Sequence, residues 1–213
     1  MIDGPVAGYT PARRDGLASR LIERGFSVDE IVDAGWAVRS EGGQVRDRFR
    51  QRVIFPMTSE TGQVLGAIGR DLTGHAQRRY INSPRTIAFD KSSTLYHPLP
   101  KATESATTLV VCEGPLDALA VIAYGVRASQ PLGAAAVSGT ALTAGHAEAI
   151  RGMYPARVAI CTDGDAAGDA AAAKWRTELA RASVHTESIR PPNGADPLTW
   201  LTSSKCAATL IDM

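Results

Sequence analysis

From residue 109 onward, apolar runs of strand length alternate with segments of helical period, and that alternation constrains the fold more than any other feature. LVVCEG precedes PLDALAVIAYG, with Pro115 at the first helical position. AAAVSG, a weaker strand, precedes the helix of TAGHAEAIRG. RVAICTD precedes an Ala-rich helix expected over residues 166–182, with Ala172, Trp175, Leu179 and Ala182 along one face. SVHTESIRP and a helical turn in DPLTWL close the series. Strands separated by helices pair in parallel through crossovers. The expected architecture is α/β, a largely parallel sheet with helices on both faces, whose ligands gather at the strands' carboxyl ends.

Two acidic side chains stand at one such end. Asp163 follows the buried run Val158 to Cys161, and Asp165 takes the N-cap of the next helix. A single Asp-Gly there is ordinary turn and cap chemistry. A second carboxylate two residues on brings like charges within a few ångströms, and they repel unless a cation lies between them. LVVCEG ends on Glu113, which therefore projects from the same sheet edge, and Asp117, one helical turn later, points back toward it. Carboxylates converging on one edge point to divalent-metal chemistry.

Composition narrows the setting. With 213 residues, 44% hydrophobic and 6% aromatic, the chain can bury one good core and a smaller lobe. No apolar run approaches the roughly 20 residues that span a bilayer, and the start MIDGPVAG lacks the regions of a secretory signal, so a cytoplasmic setting without membrane contact is expected. Cys112, Cys161 and Cys206 form no CxxC or CxxH pair, which argues against zinc and against a disulfide framework. Charge is uneven along the chain: residues 1–101 carry 15 Lys/Arg against 11 Asp/Glu, and residues 102–213 carry 8 against 11. A basic part beside a carboxylate-rich part suits a polyanion brought to a metal.

The first part reads as a smaller mixed helix and hairpin lobe, residues 1–101. Two short helices are expected over residues 14–25 and 26–35, the second with a capping box of Ser27 and Glu30, a staple of Phe26 on Ile31, and Gly35 as its stop. RVIFPM, a SETG turn and QVLGAIGRD make a β-hairpin over residues 52–71, and a loop-rich polar stretch covers residues 78–96. KATESATT, residues 101–108, is the expected linker to the sheet domain of residues 102–213.

VVCEGPLDALA, SGTALT and ICTDGDAAG together resemble the Toprim domain, the metal-dependent catalytic domain of bacterial-type primases, topoisomerases and some nucleases. Upstream, RVIFPM, GQVLGAIGR, RRYINSPRT and FDKSSTLY are similar to the segment that precedes Toprim in DnaG-type primases, and SRLIERGFSVDEIVDAGWAV resembles the helical opening of that core. The resemblance covers residues 17–200. It implies α+β organisation overall and synthesis of short RNA primers on single-stranded DNA from ribonucleoside triphosphates by two-metal catalysis with magnesium, manganese being a possible substitute. Glu113 matches the catalytic glutamate, Asp163 and Asp165 the metal-binding pair, Asp117 a nearby acid, and Asp196 the first acid of a late Asp-Pro-Asp element. Leu198 occupies the place of the second acid. Arg70, Arg79, Asn82 and Lys91 match positions taken to hold nucleotide or template. Within these 213 residues there is neither a Cys/His zinc module nor a helicase-binding domain, so a minimal or split primase core, or a fragment of a longer one, is expected, with a helicase or a separate zinc-bearing DNA-binding partner as possible suppliers of those roles. A Toprim nuclease and a non-catalytic, primase-derived nucleic-acid-binding module remain alternatives.

Overall fold

The computed structural model describes residues 6–13, 16–59, 61–98, 106–139, 141–153, 155–192 and 194–203. The chain divides into two units, residues 1–91 and 92–213. In the first, the elements run β1 (Gly8–Thr10), α1 (Gly16–Glu23), α2 (Val28–Asp33), β2 (Ala37–Arg39), β3 (Val45–Asp47), β4 (Arg52–Thr58), β5 (Val64–Asp71) and β6 (Tyr80–Asn82). Helices of eight and six residues do not persist alone and need capping and packing. The buried Asp47 supplies both to α1, accepting the Leu17 and Ala18 amides at 2.8 Å each. Ser27 and Glu30 form the expected capping box: the Glu30 amide donates to Ser27 Oγ at 3.2 Å, and the Ser27 amide to Glu30 Oε2 at 2.7 Å. Gly35 follows α2 at φ +77°, a left-handed conformation open to glycine. Ile31 packs with Ala18 and Ala37, while Phe26 stays 49% exposed.

Strands β1, β4, β5 and β6 form an antiparallel sheet in the order β1-β4-β5-β6, and β2 pairs with β3. The expected hairpin is β4–β5, with Ile54 opposite Gly69 and Pro56 opposite Ala67. Pro56 is tolerated because β1 covers only Arg52 to Ile54, which leaves the later part of β4 at the sheet edge. β6 lies inside the stretch read as loop-rich. Three residues are too few to display a period.

The second unit keeps the strand and helix alternation: β7 (Thr108–Cys112), α3 (Pro115–Ala128), β8 (Leu132–Ala136), α4 (Ala144–Gly152), β9 (Arg157–Cys161), α5 (Ala166–Arg181), β10 (Thr186–Ser188) and α6 (Pro197–Thr202). Its sheet has the order β10-β9-β7-β8 and is parallel throughout. One face buries Leu109, Val111 and Ile160 against Ile150 of α4 and Trp175 and Leu179 of α5. On the other face α3 packs on β7 and β8 and against α6. Residues of both alternating sets along β7, β8 and β9 are buried, as expected for a sheet covered on both sides. Tyr96 joins this unit by exchanging two backbone hydrogen bonds of 2.9 Å with Ala136. Most of the expected linker, residues 101–105, lies outside the described residues, as does Cys206. Cys112 and Cys161 are free, buried and opposite one another on β7 and β9. No helix among the described residues is long and apolar enough to cross a membrane.

His97, next to Tyr96, has a buried Nε2 without a hydrogen-bond partner among the described residues. Burial pushes its pKa down from 6.5 to about 4. The folded state therefore refuses a proton that the unfolded chain accepts below pH 6.5, and stability is lost as the pH falls toward 4. Replacing His97 with Asn removes this contribution. Thermal unfolding of the two proteins should show the stability difference moving in favour of the variant by roughly 2 kcal/mol between pH 7.5 and pH 5. Parallel pH profiles would show that His97 takes its proton in the folded state too.

Candidate active site

Parallel pairing of β7 with β9 puts Cys112 opposite Cys161, so Glu113 and the Thr162–Asp163 pair leave the sheet side by side. The Asp163 amide donates to Glu113 Oε1 at 3.4 Å, a long bond that links the two strand ends. The buried Thr162 donates from Oγ1 to the Gly168 carbonyl at 2.9 Å, and Asp165 caps α5 by accepting the Gly168 amide at 2.8 Å. Asp117, in the first turn of α3, accepts the Gly114 amide at 3.2 Å and the Leu198 amide at 3.3 Å. It thereby ties the start of α3 to the start of α6. Asp196 is the N-cap of α6, extended at φ −85° and ψ 161°, and accepts the Thr199 amide at 2.6 Å.

The five carboxylates feel one another. Burial and then the charge of Asp163 raise Glu113; burial and then the charges of Asp196 and Asp165 raise Asp163. Asp117 is pushed up to about 6 by burial, aided by Asp163 and Asp196 and opposed by its two amide donors. None of the five forms an ion pair with a described Lys, Arg or His. Hard oxygen donors that repel one another fit a divalent cation of the magnesium type. No three His, Cys, Asp or Glu side chains among the described residues are arranged to hold an ion by themselves. A cation here takes the rest of its ligands from water and phosphate, as magnesium commonly does.

The loop that carries Asp163 and Asp165 is fixed through Gly164. Its amide donates to the Ala195 carbonyl at 2.8 Å, and its carbonyl accepts from the Gly194 amide at 3.2 Å. A Cβ at Gly164 would stand 2.4 Å from the Pro192 carbonyl oxygen and 2.7 Å from that of Pro191, both backbone atoms.

The first unit holds a basic cleft of about 600 Å³. Asn82 and Lys91 line it, whereas Arg70 and Arg79 do not. Arg70 places its guanidinium 5.9 Å from the centroid of the Tyr80 ring, and Arg79 is exposed. Five of its eleven lining residues are arginines beyond the four expected binding positions: Arg46, Arg48, Arg50, Arg52 and Arg78, of which Arg52 and Arg78 open the RVIFPM and RRYINSPRT motifs. Their signal is present in VRDRFRQRV, where Arg recurs at every second position from 46 to 52. Arg52 is buried and spends its donors on the carbonyls of Gly69, Arg78 and Arg79, at 3.1–3.2 Å. Arg48 donates to the Asn82 carbonyl at 3.2 Å, and burial lowers its pKa. Asp47, the acid on the wall, is committed to the amides of α1.

Comparison with known proteins agrees with this division. Residues 5–101 match the family model described as DNA primase catalytic core, N-terminal domain, and residues 110–200 match the Toprim-like model. The DNA primase of Deinococcus radiodurans is 34% identical over 194 residues, 89% of this chain and 33% of that protein. That of Listeria innocua is 33% identical over 200 residues, 92% of this chain and 31% of that protein. The chain thus spans about a third of the length of the curated relatives it matches. Among solved structures, the RNA polymerase domain of Mycobacterium tuberculosis primase DnaG superposes with a TM-score of 0.80 at 28% identity, covering 94% of this chain and 66% of that one. A DnaG primase catalytic domain bound to ssDNA gives 0.76 at 32% identity, covering 94% and 62%. The chain belongs to the family of DnaG-type primase catalytic cores.

The crowding at Gly164 makes one substitution decisive. Gly164→Ala should cost about 1–3 kcal/mol, because the carbonyls it meets belong to a second loop and not to a flexible side chain. A melting temperature equal to that of the unchanged protein would mean the two loops can part without penalty.

Proposed function

We propose that this chain is a primer-synthesising nucleotidyltransferase, making short RNA on a single-stranded DNA template from ribonucleoside triphosphates. The observation that carries the reading is the group of carboxylates without cationic partners among the described residues at the ends of adjacent parallel strands, within a chain whose two parts match a primase core. Asp163 and Asp165 are the proposed metal ligands, with Asp196 and Asp117 beside them and Glu113 as a ligand or proton acceptor. Magnesium is the proposed ion at these carboxylates, with manganese its substitute. Bound ions of this kind lower the pKa of an attacking 3′-hydroxyl and steady the leaving pyrophosphate. Glu113 is suited to receive the hydroxyl proton at Oε2, since Oε1 is engaged by the Asp163 amide and its pKa is raised.

In the first unit, Asn82 and Lys91 at the cleft are proposed to hold triphosphate or template phosphate, with Arg70 and Arg79 outside its lining and Arg46, Arg48, Arg50 and Arg78 extending the basic wall. Guanidiniums bind phosphate bidentately, and cations satisfied by carbonyls keep their charge for such an anion.

Two measurements test the reading. On mixed-sequence single-stranded DNA with labelled ribonucleotides and magnesium or manganese, short RNA should appear, and Glu113→Gln and Asp163→Asn should abolish it while melting as the unchanged protein does. DNA cleavage without nucleotides, or full synthesis by both variants, would overturn it. For the cleft, Lys91→Ala and Arg78→Ala should each weaken single-strand binding and flatten its log–log salt dependence by about 0.7 for each phosphate no longer neutralised. An unchanged slope in both would return these side chains to solvated surface charges.

A further inference from the structure

Arg190 lies just beyond β10 and faces the loop between β9 and α5. Its Nε and Nη2 donate to Asp169 Oδ1 and Oδ2 at 2.8 and 3.0 Å, a two-pronged fork, and Nη2 also donates to the Gly164 carbonyl at 3.1 Å. Gly164 is the residue between Asp163 and Asp165. The loop is therefore gripped at its midpoint by a backbone exchange with Gly194 and Ala195 and by a guanidinium. Asp169 stands in the first turn of α5, four residues after Asp165, which places the two carboxylates on the same side of the helix start. Asp165 is near enough to Arg190 to favour its charged form, although Asp169 does so far more strongly.

Two described carboxylates, Asp165 and Asp169, lie near enough to act on this guanidinium. Pairing with Asp165 would put a fixed positive charge where a divalent cation has to bind. Pairing with Asp169 keeps the charge turned aside while its third contact holds the loop.

We propose that Arg190 and Asp169 are a positioning pair: together they fix the Asp163–Asp165 loop, and Asp169 keeps the Arg190 guanidinium off the metal-binding carboxylates. This rests on the reading of that loop as the metal site given above. Neither residue touches the reacting atoms. The arrangement predicts effects of opposite sign from two substitutions that remove the same exposed ion pair. Asp169→Asn turns the guanidinium toward Asp165 and weakens metal binding. Arg190→Gln removes the competing cation and leaves Asp169 charged, so metal binding is unchanged or tighter while turnover falls because the loop is less well held. The double variant, lacking both charges, returns metal affinity close to that of the unchanged protein.

The experiment is manganese binding to the whole chain, followed by calorimetry and by the loss of the free-ion paramagnetic resonance signal, with melting temperatures recorded alongside. Asp169→Asn should raise the dissociation constant about two- to five-fold, the scale of an exposed ion pair. That increase should fade in high salt, where an exposed charge is screened. Arg190→Gln should not raise it, and the two single effects should be non-additive in the double variant. If both single variants weaken binding alike and in step with a lower melting temperature, the pair is only structural and the proposal fails. Asp163→Asn separates this from the wider reading. Binding that survives Asp163→Asn undamaged overturns the loop as a metal site and the clamp's role with it. Binding lost in Asp163→Asn but shifted in the same direction by both clamp variants overturns the clamp alone.

Discussion

The parallel register of β7 and β9 is the constraint on which the second unit depends. Residue for residue, Thr108 to Cys112 lies beside Arg157 to Cys161, and from Leu109 and Val158 onward every member is buried. Burial of each large aliphatic side chain is worth roughly 1.5–3 kcal/mol, so these strands hold their register against an opposing electrostatic force at their ends. That force exists, because the register delivers Glu113 and Asp163 to one place and each raises the other's pKa or is raised by its neighbours. A slip by one residue would turn Val111 and Ile160 to opposite faces and part the acids at the same time. The hydrophobic core thus sustains an electrostatic arrangement that the acids alone would not adopt.

The late acidic element departs from its family pattern at Leu198, and the structure gives that position a backbone role. The Leu198 amide donates to Asp117, whose other oxygen accepts the Gly114 amide. Any residue with an amide could do this. Asp117 therefore has both oxygens engaged, and Asp196 has one engaged by Thr199. Of the acids proposed as ligands, Asp163 accepts no hydrogen bond from a described group, so its oxygens are the most available to a cation. The site is rich in charge and poor in uncommitted donors, which favours an ion that arrives with phosphate oxygens attached.

How much of this was legible in the sequence depended on element length. The second unit announced itself through apolar runs of four and five residues and helices of nine, fourteen and sixteen, with Asp165 at its expected N-cap; its last helix, of six residues and capped by Asp196, was legible only as a helical turn. Outside its β4–β5 hairpin the first unit did not, since β1, β2, β3 and β6 have three residues each, and β1 is defined by its distant partner β4. The acids were readable because strand ends fix their direction. The basic cleft was not read in full, because motif resemblance drew attention to Arg70 and Arg79 and away from the alternating arginines of residues 46–52. Arg46 stands on β3 and Arg52 on β4, and Arg48 and Arg50 lie between the two strands, so the connection between the strands and not one strand's alternation gathers these arginines at the cleft.

The uneven charge of the two halves acquires a local meaning in the fold. In the first unit, Arg48 and Arg52 are satisfied as donors by carbonyl oxygens, which leaves their charges uncompensated, and the wall acid Asp47 is taken up by α1. In the second, Glu113, Asp117, Asp165 and Asp196 accept amides and no described Lys, Arg or His pairs with them, which leaves their charges uncompensated in the opposite sense. Neutral backbone groups thus hold both sets in position without cancelling either field. Salt bridges would have held them as well, at the cost of the field itself.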